Sequence, residues 1–153
     1  EKIPHGKPIS NIRVKLRPDE QPASSLNLYF AQGRKNQKSG RYEPRPWYEI
    51  EITTKKNEQE QIGYPKGVWT AFAKDEGNVY KLNMITSSGN KEYPKAIQSK
   101  NGRRILGELI KGKLERKGSL KEFERVTSET LDHYGRDYIE LKQMSDKTYI
   151  LEF

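Results

Sequence analysis

Six short runs of this chain alternate between apolar and polar residues, and that alternation constrains the fold more than any other feature. IRVKL (12–16), WYEIEI (47–52), VWTAFAK (68–74), NVYKLNMI (78–85), YIELKQM (138–144) and TYILEF (148–153) send successive side chains to opposite sides, the period of a half-buried strand. In the second run Tyr48, Ile50 and Ile52 fall on one face, with Glu49 and Glu51 on the other. Asp-Glu-Gly-Asn joins the third run to the fourth with the chemistry of a tight hairpin turn, and Ser-Asp-Lys joins the last two. RRILGELIKGKLERKG (103–118) instead carries Ile105, Leu106, Leu109, Ile110 and Leu114 at helical spacing, with Asn101 as its expected cap and Gly118 as its stop. TSETLDHYG (127–135) predicts a second, short helix capped by Thr127 and ended by Gly135. RPDEQPAS reads as a turn and TKKNEQEQIGYPKG (54–67) as a polar connection. Six or seven strands with non-local pairing and two helices predict a mainly β, barrel-like fold rather than a sandwich of repeats. EKIPHGKPISN (1–11) reads as a linker or lead-in, and a first residue other than Met predicts a fragment of something longer.

Charge separates two segments from the rest. Residues 24–45 hold Arg34, Lys35, Lys38, Arg41 and Arg45 against Glu43 alone. Residues 86–104 hold Lys91, Lys95, Lys100, Arg103 and Arg104 against Glu92 alone. Each is net +4 in a chain of net +8, so the remainder is neutral as a whole. A focused positive charge of this kind most often meets a phosphate backbone.

Catalytic chemistry is harder to assemble. The chain has no Cys, which removes disulfides, thiol nucleophiles and thiolate metal sites and suits a reducing, cytoplasmic compartment. With only His5 and His133, a His-based metal site is not expected. No apolar run is long enough to span a bilayer, and no signal-peptide pattern opens the chain. His5-Gly6-Lys7 has the opening of a phospholipase-D-type HxK motif, but Ile12 stands where that motif needs an Asp. Glu140-Leu141-Lys142 has the E-x-K form of a metal-dependent nuclease, with Asp132 or Asp137 as a second carboxylate. Strand alternation accounts for Glu140 and Lys142 equally well as a solvent face. The sequence therefore implies no catalytic residue, no metal and no cofactor.

The two basic segments mix cations, which reach phosphates or guanine edges, with amides and hydroxyls that pair with bases or phosphates. The first offers Asn27, Gln32, Arg34, Lys35, Asn36, Gln37, Lys38, Ser39, Arg41 and Tyr42. The second offers Asn90, Lys91, Tyr93, Lys95, Gln98, Ser99, Lys100 and Asn101. Arg34, Lys35, Lys91 and Lys95 lie mid-segment and are the candidates for reading guanine. Arg103 and Arg104, at the start of the predicted helix, are candidates for holding phosphate. An RNA-binding module is a competing reading, with Tyr29, Phe30, Tyr42 and Tyr93 as stacking rings. A free-standing nuclease using Glu140 and Lys142 is a third.

FAKDEGNVYKLNM, KEYPKAIQSKNGRRILGELIKGKLE, GSL, VTSETLDHYGR and YIELKQMSDKTYILEF, together with SSLNLYFAQGR, resemble the C-terminal domain of phospholipase-D-type restriction endonucleases, the NgoFVII-like family. The resemblance spans roughly residues 24–153; Leu28-Tyr29 stands where that family often carries Trp-Gly. It implies a DNA-binding pseudobarrel, a seven-stranded open β-barrel with two short α-helices, like the plant B-three transcription-factor domains. The domain would occupy residues 12–153. Two arms, residues 24–45 and 86–101, would grip the major groove of double-stranded DNA at a short asymmetric site. Cleavage would belong to a separate N-terminal nuclease domain of the parent chain, with room for further subunits in the parent enzyme. On this expectation the basic loop of residues 24–45 is an arm and the strand after it is the anchor.

Overall fold

The Asp-Glu-Gly-Asn turn sets the longest pairing in the molecule. Glu76 and Gly77 both take positive φ, 50° and 83°, the arrangement whose twist matches that of two antiparallel strands. They join β5 (Gly67–Asp75) to β6 (Asn78–Gly89), paired from Asp75↔Asn78 back to Gly67↔Thr86. The computed structural model describes residues 3–100, 102 and 104–153. It divides into two compact units, Glu1–Leu16 with Ile52–Asn101 and Asp137–Phe153, and Arg17–Glu51 with Gly102–Arg136.

The first unit is a curled seven-stranded sheet, a half-barrel of the pseudobarrel kind. Besides β5 and β6 it contains β1 (Ser10–Lys15), β4 (Ile52–Thr53), β7 (Pro94–Ser99), β8 (Tyr138–Ser145) and β9 (Thr148–Glu152). Their order is β1-β8-β9-β5-β6-β7-β4. All neighbours run antiparallel except β5 and β9. Ile12, Val14, Leu16, Ile139 and Leu141, the apolar side of their alternating runs, are buried, and so are Leu82, Met84 and Leu151. Trp69 meets Tyr149 edge to face at 5.0 Å and donates from Nε1 to Thr86 Oγ1 at 2.8 Å. β1 starts at Ser10, so the expected lead-in already contributes to the sheet.

The connection after β4 does more than its polarity suggests. It forms the short helix α1 (Lys56–Gln59) and buries Glu58 and Gln59. Glu58 accepts from the Lys15 backbone N–H at 2.6 Å, while Gln61 bonds both N–H and C=O of Arg13 at 2.9 Å. These side chains occupy the outer hydrogen-bonding groups of β1, an edge strand that would otherwise invite pairing. On the other edge, Thr54 N–H donates to Lys95 O at 2.8 Å. One polar segment thus serves both margins of the sheet.

The second unit holds the small hairpin β2 (Arg34–Lys35) and β3 (Tyr42–Glu43), with α2 (Arg104–Arg116) and α3 (Ser128–Tyr134). α2 buries Leu106, Gly107, Ile110, Lys111 and Leu114, whereas Ile105 of the predicted stripe is exposed. Gly118 ends the helix with φ 74°. The Ser119 and Gly118 N–H groups return to Leu114 O and Glu115 O, which closes the last turn. α3 is capped by Thr127 and stopped by Gly135, as the sequence predicts. Asn101, the expected cap of α2, lies outside the described residues.

The strand expected over residues 47–52 is a correction. Only Ile52 and Thr53 pair, with Ile97 and Ala96; Trp47 and Tyr48 form a turn, and residues 49–51 run as irregular chain. The cause is the approach of α2. A Cβ on Gly107 would lie 1.7 Å from Tyr48 O, so helix backbone and chain touch directly there. Lys111, fully buried, donates to Trp47 O at 2.7 Å and stands over the Trp47 ring at 3.2 Å. Burial pushes its ammonium down to about 7, with Glu115 pulling the other way. Glu115 also accepts from Tyr48 Oη at 2.6 Å and Trp47 Nε1 at 3.3 Å. With Tyr48 and Trp47 held this way, Glu49 and Ile50 are both buried and the inside–outside alternation fails.

Candidate nucleic-acid interface

Each basic segment is a hairpin rather than a loop. In the second unit, β2 and β3 pair Arg34 with Glu43 and Lys35 with Tyr42. Gly33 is required at the foot, because a Cβ there would lie 1.6 Å from Glu43 O. Asn36 folds the tip: its Oδ1 accepts from the N–H groups of Lys38 and Ser39 at 2.9 and 3.1 Å, and its Nδ2 donates to Glu43 at 2.6 Å. Asn36 is thereby spent on the turn. Gln32, Arg34, Lys35, Gln37, Lys38, Ser39, Arg41 and Tyr42 are all exposed.

Arg45, which the sequence marks only as a cation, braces the foot. Its Nε donates to Gln32 O at 3.2 Å and its Nη1 to Glu49 Oε1 at 2.6 Å. Arg34 Nη2 stands 3.6 Å from Glu49 Oε2. With Glu43, Pro44 and Pro46, these residues line a cleft of about 230 Å³. Glu49 was missed because alternation along WYEIEI sends it outward; no pattern in the sequence signals that it turns in.

In the first unit, β6 and β7 form the second hairpin, with Gly89↔Pro94 as the last pair. Asn90 makes the tip, its backbone O accepting from Tyr93 N–H at 3.1 Å and its Oδ1 from Glu92 N–H at 2.8 Å. Tyr64 Oη donates to Pro94 O at 2.6 Å and holds β7 where it leaves the tip. Asn90, Lys91, Lys95 and Lys100 are exposed; Tyr93 is half-buried, with Lys66 over its ring at 5.6 Å. The Gln98 Oε1 is buried without a hydrogen-bond partner among the described residues.

Two expected contacts are not available at the surface. Asn27 is fully buried: its Nδ2 donates to Gln21 O at 3.0 Å and Val126 O at 2.9 Å, and its Oδ1 accepts from Val126 N–H at 2.7 Å. Its amide is a strut between two chain segments of the second unit. Ser99 is buried on β7 opposite Met84, on the core side of the sheet. Arg104 is exposed in the first turn of α2, while Asn101 and Arg103 lie outside the described residues.

The competing chemistries fare differently. Among the expected stacking rings, Tyr29 and Phe30 belong to an aromatic cluster with Trp47 and Phe123, at centroid separations of 5.2–5.5 Å. Arg125 covers Phe30 at 4.3 Å. Glu140 faces Arg13 at 3.6 Å and Lys142 faces Glu152 at 3.1 Å, as cross-strand ion pairs. Asp137 reaches Lys15 at 4.0 Å and His133 Nδ1 meets Ser119 Oγ at 2.8 Å. No group of three or more His, Asp or Glu among the described residues could hold a metal ion, and no described helix is long and apolar enough to cross a membrane.

The curled seven-stranded sheet is the fold the sequence resemblance implied, and each unit carries one exposed basic hairpin. Over residues 4–145 the chain matches the family described as the NgoFVII C-terminal B3-like DNA-binding domain. The chain belongs to this family. No curated protein matches it. As a B3-like DNA-binding domain of a restriction-enzyme family, it takes DNA as its partner. The match begins ahead of β1 and runs to the last residue of β8, so it embraces both hairpins and both longer helices.

Proposed function

We propose that this chain reads a short, asymmetric site in double-stranded DNA, entering the major groove with the β2–β3 and β6–β7 hairpins as two arms. The observation that carries this reading is the confinement of the chain's excess positive charge to those two hairpins and their flanks, in a member of a DNA-binding family. Arg34, Lys35, Lys91 and Lys95 are the proposed base readers, since Arg and Lys donors match the two major-groove acceptors of guanine. Gln32, Lys38, Arg41, Tyr42, Asn90, Tyr93 and Lys100 support them through phosphate and base-edge contacts, and Arg104 holds phosphate at the head of α2. Asn101 and Arg103 keep the same proposed roles, and Asn36 shapes the tip. The two arms differ in sequence and geometry, so one copy of the domain has no two-fold symmetry to impose on its site.

We assign strand cleavage to a separate phospholipase-D-like domain of the parent restriction enzyme. Glu140 and Lys142, the nearest approach to nuclease chemistry here, are engaged in ion pairs along the sheet.

Selection of bound sites from a random duplex pool tests the reading directly. It should return one short non-palindromic sequence. Affinity for that duplex should fall steeply with salt, because each phosphate contact releases counterions. Single-stranded DNA and RNA should compete poorly, and added Mg²⁺ should leave plasmid uncut. A palindromic consensus, or a binding constant indifferent to salt, would refute the proposal.

A further inference from the structure

Glu49 stands out as an acidic group buried in the foot of a basic arm. It is 6% exposed, and a carboxylate so placed is costly unless cations and hydrogen bonds satisfy it. Arg45 supplies the main partner at 2.6 Å, and only 20% of its side chain remains exposed. The same guanidinium reaches Gln32 O at 3.2 Å, so one arginine joins the chain entering the hairpin to the chain leaving it. Pro44 and Pro46 flank Arg45 and restrict the backbone that carries it. Arg45 is thereby consumed inside the arm.

Arg34 is placed differently. It sits on β2 with 68% of its side chain exposed, and a single nitrogen, Nη2, lies 3.6 Å from the second Glu49 oxygen. One corner of its planar fork is tethered, and the rest faces outward. An exposed arginine on a two-residue strand would otherwise sample many rotamers and lose that freedom on binding. An arginine tethered at one nitrogen keeps enough N–H groups for the two acceptors of a guanine edge.

Resting on the DNA-recognition reading above, we infer that Glu49 is a specificity-determining positioning residue: it holds the Arg34 fork for base reading and, by its negative charge, restrains both arginines from indiscriminate phosphate binding. The base contact belongs to Arg34, and Glu49 acts only through it. The two effects have opposite signs on random DNA and on the cognate site. That opposition separates a positioning role from simple support of the fold.

The experiment uses the duplex that the unaltered protein selects from a random pool, a random duplex of equal length, and the Glu49→Gln variant. Gln keeps an acceptor for Arg45 and removes the charge. The ratio of cognate to random affinity should fall about tenfold, the order of one good bidentate pair. Random-duplex affinity should hold or rise, and the slope of log affinity against log salt should steepen by about one contact. In the Arg34→Ala background, Glu49→Gln should lower the ratio no further, because both changes remove the same interaction. Should Glu49→Gln fail to fold, Arg34→Lys provides the second route. It preserves charge and leaves Glu49 with Arg45, yet should lower the ratio by a similar factor while random-duplex binding persists. An unchanged ratio in a folded Glu49→Gln variant, parallel losses on both duplexes, or additive losses in the double variant would overturn the inference. If the unaltered protein selects no duplex at all, the underlying DNA reading falls and Glu49's role falls with it.

Discussion

Replacing Asn27 separates a strut from a reader. The sequence offers this amide as a DNA contact, yet it lies fully buried with Oδ1 and Nδ2 both engaged. Asn27→Ala deletes three hydrogen bonds at once. It strands the Val126 N–H and C=O, on a residue only 1% exposed, together with the Gln21 carbonyl. A buried polar group left without a partner costs about 1–3 kcal/mol. Two such groups on Val126, with the Gln21 carbonyl in part relieved by water, give an expected loss of about 3–4 kcal/mol. That is a large share of the roughly 5–15 kcal/mol that holds a typical domain together. Asn27→Asp should be no better, because it keeps the acceptor for Val126 N–H but turns an oxygen toward two carbonyls. Urea denaturation gives the stability change, and hydrogen exchange should show the Val126 amide losing protection. Binding measured well below the variant's midpoint should show an unchanged ratio of cognate to random affinity. A loss below about 1 kcal/mol combined with a tenfold fall in cognate affinity would refute the strut and restore Asn27 as a reader.

Gly33→Ala should break the β2–β3 hairpin, since its Cβ would sit 1.6 Å from Glu43 O; we expect cognate affinity to fall tenfold or more with a thermal midpoint shifted by only a few degrees, and a circular dichroism melt with a binding isotherm checks both. Lys111 should make stability pH-dependent. Its folded pKa of about 7 lies below the ordinary 10.5, so the unfolded chain holds more protons between those values and stability should rise from pH 7 towards pH 9, a slope that Lys111→Met should flatten in urea titrations. Lys91→Ala should cost about 1–3 kcal/mol on the cognate duplex and relax one position of the site, whereas Arg104→Ala should weaken cognate and random duplexes alike; competition with single-base variants of the site distinguishes them.

The parts of the fold visible in the sequence are those decided by neighbours along the chain. The Asp-Glu-Gly-Asn turn needs positive φ at adjacent residues, and Gly77 signals it; Thr127 and Gly135 bracket α3 by capping chemistry alone. WYEIEI failed for the opposite reason. Its alternation is real, but α2 comes so near Tyr48 O that only a glycine at position 107 fits, and Lys111 then claims Trp47 O. Nothing within the run announces a helix more than fifty residues later in the chain. The same holds for α1 and the turn after it, where Glu58 and Gln61 look like solvated polar residues until they are found bonding the backbone of β1.

Charge located both hairpins because an exposed polar projection is conspicuous in composition, most of all in β2–β3, whose strands bury no apolar surface. What fixes each arm in place was invisible for a related reason. The β2–β3 hairpin, with both strands exposed, has to be held at its foot by groups recruited from outside them. These are Arg45 and Glu49 bridging to Gln32; in the other unit Tyr64, with Thr54 beside it, donates to Pro94 O next to the tip. Each recruited group is an unremarkable residue in its own stretch of sequence, and its partner lies between four and thirty residues away. On the proposed reading, substitutions at the tips should change the choice of base or phosphate with little effect on the hairpin. Changes at the foot alter how every tip residue is presented. Selection for a new target site should on this argument fall first on Lys35, Lys38, Arg41, Lys91 and Lys95. Arg45, Glu49 and Tyr64 should resist it, and deep substitution of the domain scored on two unlike target sequences would show whether the tolerated positions divide that way.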